Sequence, residues 1–172
     1  MHVDKTEKKW VILSFVMAFS MMGILAAYAV NKNIHPPSKQ VETINSTTLH
    51  LSEEFNEDNL GIKVQDDGSL RVTMVAARYG FFPHNMKVPV DTPIKFRLAS
   101  ADVLHGVHTA NTNFNTMVVP GYISEVNTTF PTVGKFPMFC NEYCGLGHDY
   151  MWSLLNIVSK EDFETYMKEG NE

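Results

Sequence analysis

The stretch Val11–Val30 (VILSFVMAFSMMGILAAYAV) runs for twenty residues without a charged side chain. At about 1.5 Å per residue that makes about 30 Å of helix, the hydrocarbon thickness of a bilayer. A chain with such a run has to meet a membrane. The rest of its 172 residues leaves room for one further domain of ordinary size. Two readings of the run compete. Lys5, Lys8 and Lys9 supply a basic start, and Ala27-Tyr28-Ala29 resembles a small-x-small cleavage site. However, the run exceeds the roughly 7–15 apolar residues of a secretory signal. Trp10 and Tyr28 also stand where interfacial aromatics belong. The expectation is an uncleaved, single-pass anchor in the plasma membrane. Three lysines precede the span while Lys32 and Lys39 follow it, so the tally leans towards an N-terminus inside and a C-terminal domain outside. Residues 1–10 are then cytoplasmic and 11–30 transmembrane.

Composition excludes several classes for the exported part. Residues 31–172 hold 11 basic and 17 acidic side chains, a net charge of −6, which argues against nucleic-acid binding because phosphate contacts need a basic face. Two cysteines cannot build a disulfide-dense scaffold, and 11% aromatic residues exclude a disordered chain.

Residues 31–60 are polar, include Pro36-Pro37 and show no sustained periodicity, which predicts a linker with a short helical turn around Ser52–Asn56. From Gly61 the text changes to short β-branched and aromatic runs. Asp66-Asp67-Gly68-Ser69 predicts a hairpin turn between Ile62–Val64 and Leu70–Ala77. Lys95–Leu98, Ile123–Phe130 and Leu154–Val158 alternate with period two. Pro83, Pro89, Pro93, Pro120, Pro131 and Pro137 fall where strand edges or turns tolerate a missing N–H. The expected fold of residues 61–172 is all-β, an antiparallel sandwich or small barrel. Ser159 caps a short amphipathic helix, Lys160–Glu169, with Asp162 placed for a capping box. That helix is expected to do no more than close the domain.

Both cysteines lie in Cys140-Asn141-Glu142-Tyr143-Cys144-Gly145-Leu146-Gly147-His148-Asp149-Tyr150-Met151. Two thiolates, an imidazole and a thioether within twelve residues select copper or zinc over magnesium or calcium. Zinc usually takes cysteine and histidine alone, so the methionine favours copper. So does His105 in Asp102-Val103-Leu104-His105-Gly106-Val107-His108, directly after a predicted strand. A mononuclear blue-copper site uses one cysteine. Two cysteines, two histidines and a methionine instead suit two copper ions bridged by both sulfurs. Such a pair delocalises one electron over both metals and leaves no open position for a substrate. A plain disulfide remains the alternative for the cysteines, as does a core-filling role for Met151. His108 reads as a surface or supporting residue. His35, His50 and His84 have no liganding company.

CNEYCGLGHDYM with DVLHGVH upstream resembles subunit II of haem–copper cytochrome c oxidases, the subunit that carries the CuA centre. The similarity runs from about Leu70 to Val158 and includes Tyr79-Gly80-Phe81-Phe82-Pro83 and Asn113–Pro120. A single N-terminal helix resembles the prokaryotic B-type branch. The resemblance implies a cupredoxin-like Greek-key barrel on the outer membrane face. It implies a CuA centre held by His105, Cys140, Cys144, His148, Met151 and the carbonyl of Glu142. It also implies a catalytic subunit I that holds haem and pumps protons, and cytochrome c as donor. The family usually has a small or glycine-containing stretch after the methionine, whereas this chain has Trp152-Ser153-Leu154-Leu155.

A domain of charge −6 should attract a basic redox partner. Tyr79, Phe81 and Phe82 are candidates for an aromatic docking surface or for core positions, and Asp102 for orienting the His105 loop or capping a turn. Two other functions stay open: the same module attached to a haem–copper nitric oxide reductase, and a membrane-tethered copper carrier with exchangeable ligands.

Overall fold

A computed structural model of the chain describes residues 4–31 and 41–169. They form two compact units, divided between Gln40 and Val41. The expected Pro36-Pro37 linker region and His35 lie outside the described residues.

The first unit is one helix, α1 (Lys5–Asn31), longer at both ends than the uncharged run. None of its side chains is buried, and the helix is long and apolar enough to cross a membrane. Its apolar residues surround the axis instead of forming one stripe, as lipid contact on all sides requires.

The second unit is a sandwich of two five-stranded sheets. The first sheet orders β1 (Gly61–Val64), β2 (Leu70–Ala77), β5 (Ile94–Ser100) and β8 (Ser124–Thr128), with β3 (Gly80–Phe82) pairing β2. The second orders β4 (Asn85–Pro89), β10 (Trp152–Val158), β9 (Gly134–Phe139), β6 (His105–Thr109) and β7 (Asn115–Val118). The predicted hairpin forms, pairing Val64 with Leu70 across a turn in which Gly68 has φ +80°. Only glycine adopts that conformation freely.

The sandwich is mixed, not purely antiparallel. β2 runs parallel to β5, and β4 runs parallel to β10. Parallel neighbours need long crossovers, and period two within a strand carries no information about which distant strand lies alongside. Pro137 also sits inside β9, beyond the two residue pairs that join β9 to β6, where its missing N–H leaves no gap.

The inner faces bury Val72, Met74, Phe96, Leu98, Val107 and Leu155 completely. Each contributes about 2 kcal/mol by the area it removes from water. Phe96 stacks on Phe114 at 4.1 Å between centroids and meets the edge of Phe130.

Residues 41–60, expected as linker, fold onto the outer face of the first sheet. Leu49 and Phe55 are buried there in a small second core with Ala99. Ile44 N–H donates to Gly121 O, and Ile123 N–H donates to Glu42 O. Arg97, which points outward from β5, donates to Glu54 and Glu42 of this segment and to Glu125 of β8. Hydrogen bonds to Glu54 and then Glu42 push the guanidinium pKa upward, so Arg97 stays charged. The predicted helical turn is replaced by 3-10 turns at Ser46–Leu51 and Glu57–Asn59.

The C-terminal helix α2 (Lys160–Glu169) forms as expected. Ser159 Oγ accepts from Asp162 N–H at 3.0 Å and donates to the Asp162 carboxylate at 2.9 Å. The helix does more than cover the domain, because its Phe163 joins the main core.

Candidate metal centre

Strand ends assemble the site. β6 starts at His105, β9 stops one residue before Cys140, and β10 starts one residue after Met151. The Cys140 N–H donates to the Met151 carbonyl at 3.1 Å, and Phe139 pairs with Trp152 just outside. The twelve-residue loop is therefore closed at its base by the sheet. It folds back through a 3-10 turn at His148–Tyr150, which returns Met151 towards the cysteines.

All six expected donors converge. The Cys140 and Cys144 sulfurs are 3.9 Å apart and unbonded, so neither serves a disulfide. The nearest ring nitrogen of His105, Nδ1, lies 3.9 Å from the Cys140 sulfur. His148 Nδ1 lies 3.6 Å from the Cys144 sulfur, and the Met151 sulfur also lies 3.6 Å from it. The Glu142 carbonyl oxygen is 3.2 Å from the Cys140 sulfur. Cys140, Cys144, His105 and Met151 are buried.

The donor set fits soft metal ions. Two metal–thiolate bonds of about 2.3 Å span up to about 4.6 Å, so one ion can touch both sulfurs at their observed separation. The ligand atoms of His105, Cys140 and Cys144 all lie within 4.8 Å of one another. Burial, and then the neighbouring Cys140, raise the Cys144 thiol pKa, so metal loading has to displace a proton there.

The His105 ring is held from behind. Its Nε2 lies 2.7 Å from Asp102 Oδ1, which leaves Nδ1 facing the cysteines. This carboxylate–imidazole arrangement fixes both tautomer and ring orientation. Burial pushes the Asp102 carboxyl up, but hydrogen bonds from His105, from the Arg78 and Val103 backbones and from the Arg78 side chain outweigh it. The result is a pKa of about 2. Asp102 thus orients His105, and the same oxygen also accepts the N–H of Val103, the next residue.

The aromatic candidates divide. Phe81 is fully buried in the core, whereas Tyr79 and Phe82 are about half exposed. Tyr79 also backs the ligand loop. A Cβ on Gly147 would meet the Tyr79 ring at 2.5 Å, and one on Gly145 would meet its hydroxyl at 2.7 Å, so only glycine lets the loop lie this close. Tyr143, Leu146 and Tyr150 project from the same loop into solvent. Tyr143 leans over His148, with 5.8 Å between ring centroids.

Among the described residues, the remaining histidines have other neighbours. His108 pairs with Asn115 and Phe139 across the second sheet. His84 packs against Trp152, and His50 is exposed. The unusual Trp152–Leu155 stretch is simply the start of β10, with Trp152 half exposed and Ser153 and Leu155 buried. Arg78 was not singled out by the sequence, because its contact to Asp102 crosses 24 residues.

Comparison with known proteins follows the same residues. A family model described as the periplasmic domain of cytochrome c oxidase subunit II matches residues 66–158. Cytochrome c oxidase subunit 2 of Thermus thermophilus is 32% identical over 156 residues, covering 90% of this chain and 92% of that protein. Among solved structures, a chain from a haem–copper terminal oxidase dimer superimposes with a TM-score of 0.67 at 21% identity, covering 90% of this chain and all of that one. The periplasmic domain of cytochrome oxidase subunit II from Bradyrhizobium japonicum gives a TM-score of 0.54 at 18% identity, covering 59% of this chain and 92% of that one. At these identities the two structures speak for the cupredoxin-like fold alone.

Proposed function

The chain belongs to the cytochrome c oxidase subunit II family, and from that premise we propose that it is where electrons enter a haem–copper terminal oxidase. Membership makes it a subunit of an oxidoreductase complex and implies a catalytic subunit I as its partner. The family's domain also implies copper binding. The finer reading is a dinuclear CuA centre. Cys140 and Cys144 would hold the two ions between them, with His105, His148, Met151 and the Glu142 carbonyl completing the set. One observation carries it: two buried thiols 3.9 Å apart, each with an imidazole nitrogen within 3.9 Å.

Copper so held would supply one-electron transfer, with the charge change spread over two metals. The chain's own residues supply the rest. Both cysteines release their protons on loading. Asp102 keeps His105 in one tautomer, and burial of four donors excludes water from the metals. A site whose donors all come from the chain would pass electrons and not make bonds. The donor is a cytochrome c with a basic face, steered by the acidic surplus of residues 31–172. The acceptor is haem in subunit I. The apolar helix and the periplasmic-type domain fit a single-pass membrane protein. In the proposed topology residues 1–10 are cytoplasmic, 11–30 span the plasma membrane, and the domain, which begins at Val41, stands on the outer face.

Metal analysis and electron paramagnetic resonance of the detergent-solubilised full chain test this reading. Two coppers per chain with hyperfine splitting shared by both nuclei are expected. One copper with a single-nucleus pattern would sink it.

A further inference from the structure

Arg78 closes a chain of contacts that ends on a proposed copper ligand. Its backbone N–H and its Nε both donate to Asp102 Oδ2, at 2.9 and 3.0 Å. The other oxygen, Oδ1, takes the Val103 N–H and the ring of His105, each at 2.7 Å. Every strong acceptor direction of the carboxylate is therefore committed. His105 itself is fully buried, so its Nε2 proton has no water to turn to. Arg78 belongs to the turn after β2 and Asp102 to the loop after β5, two strands that run parallel through seven residue pairs. The parallel pairing brings both strand ends to the same edge, and the ion pair fixes them to one another there.

We propose that Arg78 is a positioning residue that sets how strongly His105 donates to copper. The inference rests on the copper site proposed above. A carboxylate beside Nε2–H draws that proton towards itself and makes the imidazole a stronger donor, which favours the oxidised, more positive metal pair. A guanidinium on the far oxygen withdraws part of that negative charge. Arg78 thus limits the effect of Asp102 and holds the reduction potential up. Its side chain is 49% exposed against 21% for Asp102, so solvent screens the influence without abolishing it. The Arg78 backbone N–H, which a side-chain substitution leaves in place, also fixes Oδ2 and leaves Oδ1 aimed at His105. Charge and orientation therefore act on the ring through one carboxylate.

The test is a redox titration of the copper-loaded, detergent-solubilised full chain, followed by the copper absorption. At the wild-type midpoint the oxidised-to-reduced ratio is unity. Arg78→Gln should raise it by about threefold to tenfold, less than the roughly 10–100-fold typical of groups directly behind a ligand, because Arg78 acts at one remove and is half exposed. Arg78→Lys keeps the charge and should recover most of the shift. Asp102→Asn should lower the ratio, and adding Arg78→Gln to it should change nothing further, because the residue acts only through Asp102. A second readout needs no copper: in the metal-free chain the His105 Nε2 proton should exchange with solvent more slowly in Arg78→Gln than in wild type, because the unneutralised carboxylate holds it harder while the Arg78 backbone N–H still fixes Oδ2. An unchanged ratio in Arg78→Gln, or a full Arg78→Gln shift on the Asp102→Asn background, would overturn the proposal. If wild type shows no two-nucleus copper signal, the parent reading falls, and the proton exchange still decides whether Arg78 holds His105.

Discussion

The domain contains two side-chain clusters of similar size and opposite character. Around Arg97, three carboxylates surround one guanidinium on the outside of the first sheet, each within hydrogen-bond reach. Around Cys140 and Cys144, two thiols, two imidazoles and a thioether face each other across 3.6–3.9 Å, in contacts that amount only to weak sulfur hydrogen bonds. The first cluster is complete as it stands, with donors matched to acceptors. The second gathers electron-pair donors of one kind, a set that a soft metal cation would match. A self-satisfied cluster fastens chain segments together, whereas a one-signed cluster in a buried place is built around something else.

The largest break in this contrast is chemical. Cys140→Ser or Cys144→Ser should abolish the two-nucleus copper spectrum altogether, because one remaining thiolate bridge cannot hold the core; an unchanged spectrum in either variant would refute the ligand set. Next comes the metal. With free copper at about a thousand times its dissociation constant, loading should stabilise the chain by about 4 kcal/mol, seen as a melting temperature roughly 10 °C above that of the chelator-treated protein. Equal melting temperatures would mean that the donors do not form one site. Arg97→Met should cost about 2 kcal/mol, the size expected for losing charge-assisted hydrogen bonds in a partly exposed network. Its copper spectrum should not change, and limited proteolysis should cut within residues 41–60. A spectral change there would erase the distinction between the clusters. The smallest expected effect is Gly147→Ala, about 1 kcal/mol from the clash with Tyr79, relieved when Tyr79→Ala is added. Thermal denaturation of the copper-free chain would read both variants.

How far the sequence reveals each cluster follows from how local it is. Five of the six proposed donor groups fall within twelve consecutive residues, so the metal site is readable as text, and His105 is marked by its position after a strand. The hairpin at Asp66–Ser69 and the Ser159 cap are equally local, and both form. The Arg97 cluster is not local. Its partners lie 43, 55 and 28 residues away, and Arg97 looks like any outward residue of an alternating strand. The segment 41–60 hides for a related reason. Leu49 and Phe55 are its only fully buried side chains, too few and too irregular to give a period, and the rest of its hold comes from polar contacts. The parallel pairings escape notice because they depend on which strands become neighbours. Phe81 and Phe82 are adjacent aromatics, and only the orientation of β3 sends one into the core and the other into solvent.

The Cys140–Met151 loop leaves the second sheet and rejoins it at a single rung, where Phe139 faces Trp152 and Cys140 bonds to Met151. Scaffold and chemistry are therefore separately heritable. Insertions, deletions or exchanges between those two stems can rewrite five donor groups while every strand pairing stays in register. Descendants of this barrel can acquire a different metal, or lose theirs, without having to refold first.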